Sequence, residues 1–206
     1  MTKQSIWVGS RPVLASKSAG RRQLLEAAGI PVDVAPAEID ERGIEQAFLR
    51  EGGAPEKIAS ILARAKAVET SARRRGELCL GADQILTLHG EALHQSSTIE
   101  AARAQMKRLA GQTHKLTSAI CVARDRVTLF EAEDSASMTM RKLDDSAIAR
   151  YFDIVGPDVL SSVGGYQIEG LGVHLFEKIS GDHATIVGLP LLRLLAWLRG
   201  AGFVRL

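Results

Sequence analysis

The first apolar stretch, residues 6–15, is short and partly β-branched and predicts a strand. Ser18 stands at the cap of a helix whose register is set by Leu24, Leu25 and Ala28, and Gly29, Ile30 and Pro31 stop it. Residues 32–35 then begin a new extended segment. A second helix opens at Pro55, runs through Ile58, Ile61, Leu62, Ala65 and Val68, and ends near Gly76. Its Arg73, Arg74 and Arg75 read as a solvated helix end. Residues 78–81 predict a brief buried strand with Asp83 at its carboxyl end, where α/β sheets place chemistry. Residues 85–88, followed by His89 and Gly90, predict the next strand and turn.

Ser97 and Glu100 have the spacing of a capping box, and Ala101, Ala104, Met106 and Leu109 continue a helix closed by Gly111. Residues 114–123 and 127–140 predict a hairpin turning at Arg124-Asp125, after which Asp144 caps a helix through Ile148, Tyr151 and Phe152. Gly164-Gly165 interrupts regular structure. Residues 173–179 predict a strand, Gly181-Asp182 a turn, and Pro190 the start of an amphipathic helix through Leu194, Leu195 and Leu198. Helices between strands in the first half and a hairpin in the second predict one α/β domain over residues 1–206. Its sheet is expected to be partly antiparallel, and its halves to form two lobes around a cleft.

Composition narrows the class. The 206 residues are 46% hydrophobic, 24% charged and 4% aromatic, enough for one substantial core. Twenty-six Lys and Arg against 24 Asp and Glu leave a charge of +2, which gives no ground for a nucleic-acid or membrane partner. Cys79 and Cys121 each sit inside an apolar stretch, as buried strand thiols do, and this suggests a reducing compartment. There is no apolar signal core, and the longest apolar run, 189–198, is broken by Arg193. A cytoplasmic protein is expected.

Four places have the residue types for chemistry. The run Ala15-Ser16-Lys17-Ser18-Ala19-Gly20-Arg21-Arg22 puts hydroxyls, backbone N–H groups and guanidinium groups at a strand-to-helix junction, a natural phosphate site or else an ordinary cap with surface arginines. Ile39-Asp40-Glu41 offers two carboxylates after a strand and taken alone is a solvated loop. Gly81-Ala82-Asp83-Gln84 presents a carboxylate fit for a metal ligand or water-activating base, or for a structural turn; Lys66 carries a point charge that solvation alone also explains. Gly164-Gly165-Tyr166-Gln167-Ile168-Glu169-Gly170 reads as a base contact or a bulged loop. No G-x-x-x-x-G-K-[ST] segment, dinucleotide fingerprint, paired histidine spacing or G-x-S-x-G elbow occurs.

Taken in order, these segments resemble the Maf family of nucleoside triphosphate pyrophosphatases, from Pro12 nearly to the C-terminus. The resemblance is carried by Val13-Leu14-Ala15-Ser16-Lys17-Ser18, Arg21-Arg22, Leu24-Leu25, Ile39-Asp40-Glu41, Ala65-Lys66-Ala67, Gly81-Ala82-Asp83 and Val187-Gly188-Leu189-Pro190. It implies a Maf/ITPase-like fold, a mixed central sheet flanked by helices with a deep cleft. It also implies a homodimer that cleaves nucleoside triphosphates to monophosphate and pyrophosphate with a divalent cation, magnesium or manganese. By resemblance, Ser16, Arg21, Arg22 and Lys66 are triphosphate contacts. Glu41 and Asp83 hold the metal, and Asp83 doubles as the base.

The specificity positions implied are Gly20, Gln84 and Glu169. Asp83-Gln84 with Glu169 is similar to the 7-methyl-GTP branch rather than the dTTP/UTP branch, and a carboxylate there accepts from a guanine edge and favours a cationic methylated ring. Two positions depart from the family: Ala19 and Gly20 replace a Pro followed by Trp or Arg, and Gln95 stands where a phosphate-contacting Lys is expected. The leading expectation is a house-cleaning pyrophosphatase. The alternative, motivated by Gln95, is a catalytically weak nucleotide-binding paralogue that influences cell division, as the family's association with septum formation implies.

Overall fold

The structure is a computed structural model that describes residues 5–206. Its strands are β1 (Val13–Leu14), β2 (Asp33–Val34), β3 (Cys79–Leu88), β4 (Glu91–Leu93), β5 (Thr113–Arg124), β6 (Val127–Met140) and β7 (Phe176–Ser180). Its helices are α1 (Ala19–Ala27), α2 (Glu41–Arg50), α3 (Ile58–Arg73), α4 (Ile99–Leu109), α5 (Asp145–Val155), α6 (His183–Val187) and α7 (Leu191–Gly200). The strands form one sheet in the order β2-β1-β3-β5-β6-β7, with β4 also on β3. β1 pairs in parallel with β2 and β3, whereas β3–β4 and β6–β7 are antiparallel. The expected α/β class and mixed sheet are therefore present.

The chain divides into two compact units, each with its own core. One comprises the chain up to Gln84 with Ser118–Asp134 and Gly188–Leu206; Leu14, Leu25, Ile30, Leu80, Ile120, Leu194 and Leu198 fill its interior. The other comprises Ile85–Thr117 and Ser135–Val187, around Leu86, Met106, Met138, Ile148 and Phe152.

Local chemistry explains most element ends. The Ser18 side chain accepts from the Arg21 backbone N–H and starts α1, and Gly29, at φ +75°, ends the turn after it. The β5–β6 hairpin turns through Asp125 and Arg126, one residue beyond the expected Arg124-Asp125, both at positive φ, as a two-residue turn matched to strand twist requires. Both cysteines are free and buried, and burial raises their thiols to about 11 for Cys79 and about 12 for Cys121.

Other expectations need correction. The expected strand over 6–15 contracts to Val13–Leu14, with Trp7 making only an isolated bridge to Val204. The two strands expected at 78–81 and 85–88 are one strand, so Asp83 lies in its middle and not at a carboxyl end. Ile39-Asp40-Glu41 is the start of a helix: the Asp40 side chain accepts from the Gly43 N–H at 3.0 Å. That helix has no fully buried residue and carries Gly43 in its first turn, which lowers its intrinsic helix propensity. α4 is capped by Thr98, one residue after Ser97. Leu171–Leu175 is a 3₁₀ turn where the strand over 173–179 was expected to begin, and Asp182 caps α6.

His114 lies in the second unit's core. Its Nε2 is 2.6 Å from the Tyr166 hydroxyl, Nδ1 has no partner, and burial holds the imidazole down at about 4. The unfolded chain takes this proton near its ordinary value of about 6.5, so stability is complete above that pH and declines as pH falls towards 4. The loss from this group is expected to reach about 2 kcal/mol by about pH 5. Urea denaturation at about pH 7 and about pH 5 checks it, since His114→Gln should lose less on acidification than the parent chain.

Candidate active site

Five of the residues singled out in the sequence meet within the first unit. β1 delivers Ser16 to the start of α1, and the parallel register Leu14↔Leu80 lays this turn beside β3. The Ala15 N–H donates to the Leu80 carbonyl at 2.8 Å, which sets Ser16 next to Ala82 and Asp83. Helix α3 crosses this part of the strand because Gly81 has no side chain. A Cβ there would sit 2.1 Å from the Ala63 carbonyl and 2.4 Å from the Ala67 nitrogen. Such an approach of helix to strand brings Lys66, on the buried face of α3, against Asp83.

The Lys66 ammonium donates to Asp83 Oδ1 at 2.6 Å and pairs with Glu41 Oε2 at 2.9 Å. The Lys66 and Asp83 side chains are 9% and 13% exposed, whereas that of Glu41 is 52% exposed. The centre is thus buried on one side and open at Glu41. Glu41 is the first residue of α2, where the helix dipole favours a carboxylate. The segment before it is pinned to α3: the Glu38 N–H donates to Glu69 Oε2 at 3.1 Å, and Arg73 donates to the Pro36 carbonyl at 3.0 Å while bridging to Glu69. Arg73, expected as a solvated helix end, is therefore an anchor for the loop that carries Glu41. Its sequence signal is the i,i+4 spacing of Glu69 and Arg73.

Arg21 closes the inner side. Its Nε donates to the Gly188 carbonyl at 2.9 Å, and its Nη1 to the Ala82 carbonyl at 2.8 Å and to Ser16 Oγ at 3.1 Å. Loss of water lowers the Arg21 pKa, and the negative charges of Asp83 and Glu41 oppose this. Loss of water likewise raises Asp83 above the usual carboxylate range, against the pull of Lys66 and Arg21. Two cations and two carboxylates so placed leave the centre balanced. The carboxyl next to them has more affinity for a proton than a solvated one.

The other residues singled out make contacts of their own. Arg22 is exposed and pairs with Glu26 at 2.8 Å. Gly20 is half-buried in the first turn of α1. Gln84 follows Asp83 on the strand, so it faces the other side of the sheet, where its amide donates to Ser118 Oγ at 3.0 Å. Glu169 belongs to the second unit and is exposed in the turn before Leu171–Leu175. Gln95, also in that unit, donates to the Leu160 carbonyl.

The family model of Maf-like proteins matches residues 11–201. The chain belongs to the Maf family. A protein of Brucella abortus biovar 1 (strain 9-941), named 7-methyl-GTP pyrophosphatase, is 51% identical over 187 residues, 91% of this chain and 94% of that protein. One of Rhodopseudomonas palustris (strain HaA2), named nucleoside triphosphate pyrophosphatase, is 51% identical over 196 residues, 95% of this chain and 96% of that protein. A third, from Mesorhizobium japonicum (strain LMG 29417 / CECT 9101 / MAFF 303099) and named 7-methyl-GTP pyrophosphatase, is 48% identical over 192 residues, 93% and 96% of the two chains. Among the described residues of this Maf chain, no helix is long and apolar enough to cross a membrane.

Gly81→Ala is expected to force α3 away from β3 and to destabilise the protein by about 1–3 kcal/mol. Urea denaturation measures it, with Gly200→Ala as control: a Cβ at Gly200 meets no neighbour, and stability there should be unchanged or slightly raised.

Proposed function

We propose that this protein hydrolyses a nucleoside triphosphate to the monophosphate and pyrophosphate, with a 7-methyl-GTP-like nucleotide preferred. The observation that carries the reading is the convergence of the Glu41 and Asp83 carboxylates on one cationic centre, with Ser16 and Arg21 beside it. The names of the relatives at 51% identity support it.

The donor set suits magnesium or manganese. Two carboxylate oxygens already meet at a single positive group, the Lys66 ammonium, and a hard divalent cation bound with a nucleotide takes one or two carboxylates plus phosphate oxygens. Glu41 and Asp83 would hold such an ion, which a nucleotide's phosphate oxygens would also meet, since among the described residues no group of three or more His, Cys, Asp and Glu forms a cation cage. The ion, when bound, polarises the phosphoryl oxygens.

Water attacks the α-phosphorus, one P–O bond forms, and the bond from that phosphorus to the bridging oxygen breaks as pyrophosphate leaves. Asp83 takes the water proton, for which its buried position raises its affinity. The Lys66 ammonium and the Ser16 hydroxyl meet the charge that gathers on the phosphate oxygens. Glu169 reads the guanine edge in this proposal, accepting from its N1–H and exocyclic amine. The buried thiols of Cys79 and Cys121 support a cytoplasmic setting, where such thiols stay reduced.

Pyrophosphate release from 7-methyl-GTP, GTP, CTP, UTP and dTTP, with magnesium or manganese, tests the reading. The highest kcat/KM is expected with 7-methyl-GTP. Asp83→Asn should lower turnover at least about a hundredfold while melting as a folded protein and still binding nucleotide. Glu169→Gln should move the ranking towards pyrimidine triphosphates, and an unchanged ranking removes Glu169 from base selection. A second reading rests on Gln95, which donates to a backbone carbonyl and brings no positive charge. Triphosphate binding without pyrophosphate release across the panel would favour that reading, a nucleotide sensor acting in cell division.

A further inference from the structure

Ser16 Oγ is held by two donors. The Arg21 Nη1 donates to it at 3.1 Å and the Ser18 backbone N–H at 3.3 Å, and a serine hydroxyl has two acceptor lone pairs and one proton. Both lone pairs are engaged, and among the described residues the hydroxyl proton meets no protein acceptor. Its oxygen can then act in one sense only, as a donor.

Arg21 is fixed as tightly. Three of its five N–H groups point at protein oxygens, the carbonyls of Gly188 and Ala82 and the hydroxyl of Ser16. The Gly188 carbonyl reaches the Arg21 Nε across a backbone at φ +119°, a conformation that favours glycine, and a Cβ there would lie 3.1 Å from Nε. The segment before α7 thus leaves room for the guanidinium to lie flat against it.

We infer that Arg21 is a positioning residue, which orients Ser16 as an obligate hydrogen-bond donor to a phosphate oxygen and does not itself carry the phosphate. This deepens the proposed function and rests on it. The competing role is direct: the two Nη2 protons of Arg21 make no hydrogen bond to the described residues, and a guanidinium that grips the phosphate would use them.

A double-mutant cycle separates the two roles. Arg21→Lys keeps the charge but has one nitrogen and no planar fork with which to serve three oxygens. Ser16→Ala removes the donor. Each single change should lower affinity for the α,β-methylene analogue of GTP, and kcat/KM for pyrophosphate release, about 10- to 100-fold. If Arg21 acts through Ser16, adding Arg21→Lys to Ser16→Ala should cost no more than about threefold further. Losses that multiply would overturn the inference, as would a Ser16→Ala protein that binds like the parent. Thermal melting shows whether Arg21→Lys is folded. Should it not be, Ser16→Thr, which keeps the hydroxyl, must bind at least about tenfold better than Ser16→Ala, and equal binding would overturn the inference. A parent chain that binds the analogue but releases no pyrophosphate would defeat the hydrolytic reading instead, while the binding cycle still decides the role of Arg21.

Discussion

An ammonium group buried against a carboxylate has to recover a desolvation cost of several kcal/mol per ion. Lys66 does so by meeting two carboxylates, Asp83 from β3 and Glu41 from the start of α2, with Arg21 near enough to offset the second negative charge. Much else follows from that arrangement. α3 has to lie close on the strand for Lys66 to reach Asp83, which requires Gly81. The loop before Glu41 has to be held, which the Glu69 and Arg73 side chains of the same helix accomplish.

Helix α3 is therefore a common reference for the site. It supplies the cation, packs on the strand that supplies one carboxylate, and anchors the segment that supplies the other. A shift of this helix would change all of these together, because interiors packed near crystal density transmit displacement and do not absorb it. Asp83 in the middle of β3 belongs to the same logic. A residue inside a strand has extended backbone on both sides, so its carboxyl is held more firmly than one on a loop tip.

The two units keep separate hydrophobic cores, and the first contains Ser16, Arg21, Glu41, Lys66 and Asp83 together. The residues proposed for phosphate chemistry thus lie within one unit, tied together by hydrogen bonds such as that from Arg21 to the Gly188 carbonyl. Glu169 and Gln95 belong to the second unit, with its own aromatic packing of His114, Tyr166 and Phe176. Glu169, proposed to read the base edge, therefore belongs to a different core from the residues proposed to cleave the phosphate.

The sequence by itself determined the class of the fold, most helix starts, the hairpin, the burial of both cysteines, and the ordered motifs of the Maf family. These depend on interactions between residues a few positions apart, such as the Ser18 cap and the Pro190 helix start, or on residue types that stay recognisable without a partner. Tertiary structure decided what depends on distant neighbours. The strands expected at 78–81 and 85–88 are one strand through Asp83, paired to β1 at Cys79 and Leu80, to β4 at Leu86–Leu88, and to β5 as its other neighbour. Helix α2, not expected from the sequence, is capped by Asp40 and packs against α3. Arg73 is an anchor and not a solvated end because Glu38 and Pro36, 35 and 37 residues away, come beside it. Arg21 and Arg22 are adjacent in sequence and alike in chemistry, yet one is enclosed by three protein oxygens and the other pairs with Glu26 at the surface. The physical reason is helical geometry: neighbouring positions point about 100° apart, and only packing settles which of them faces inward.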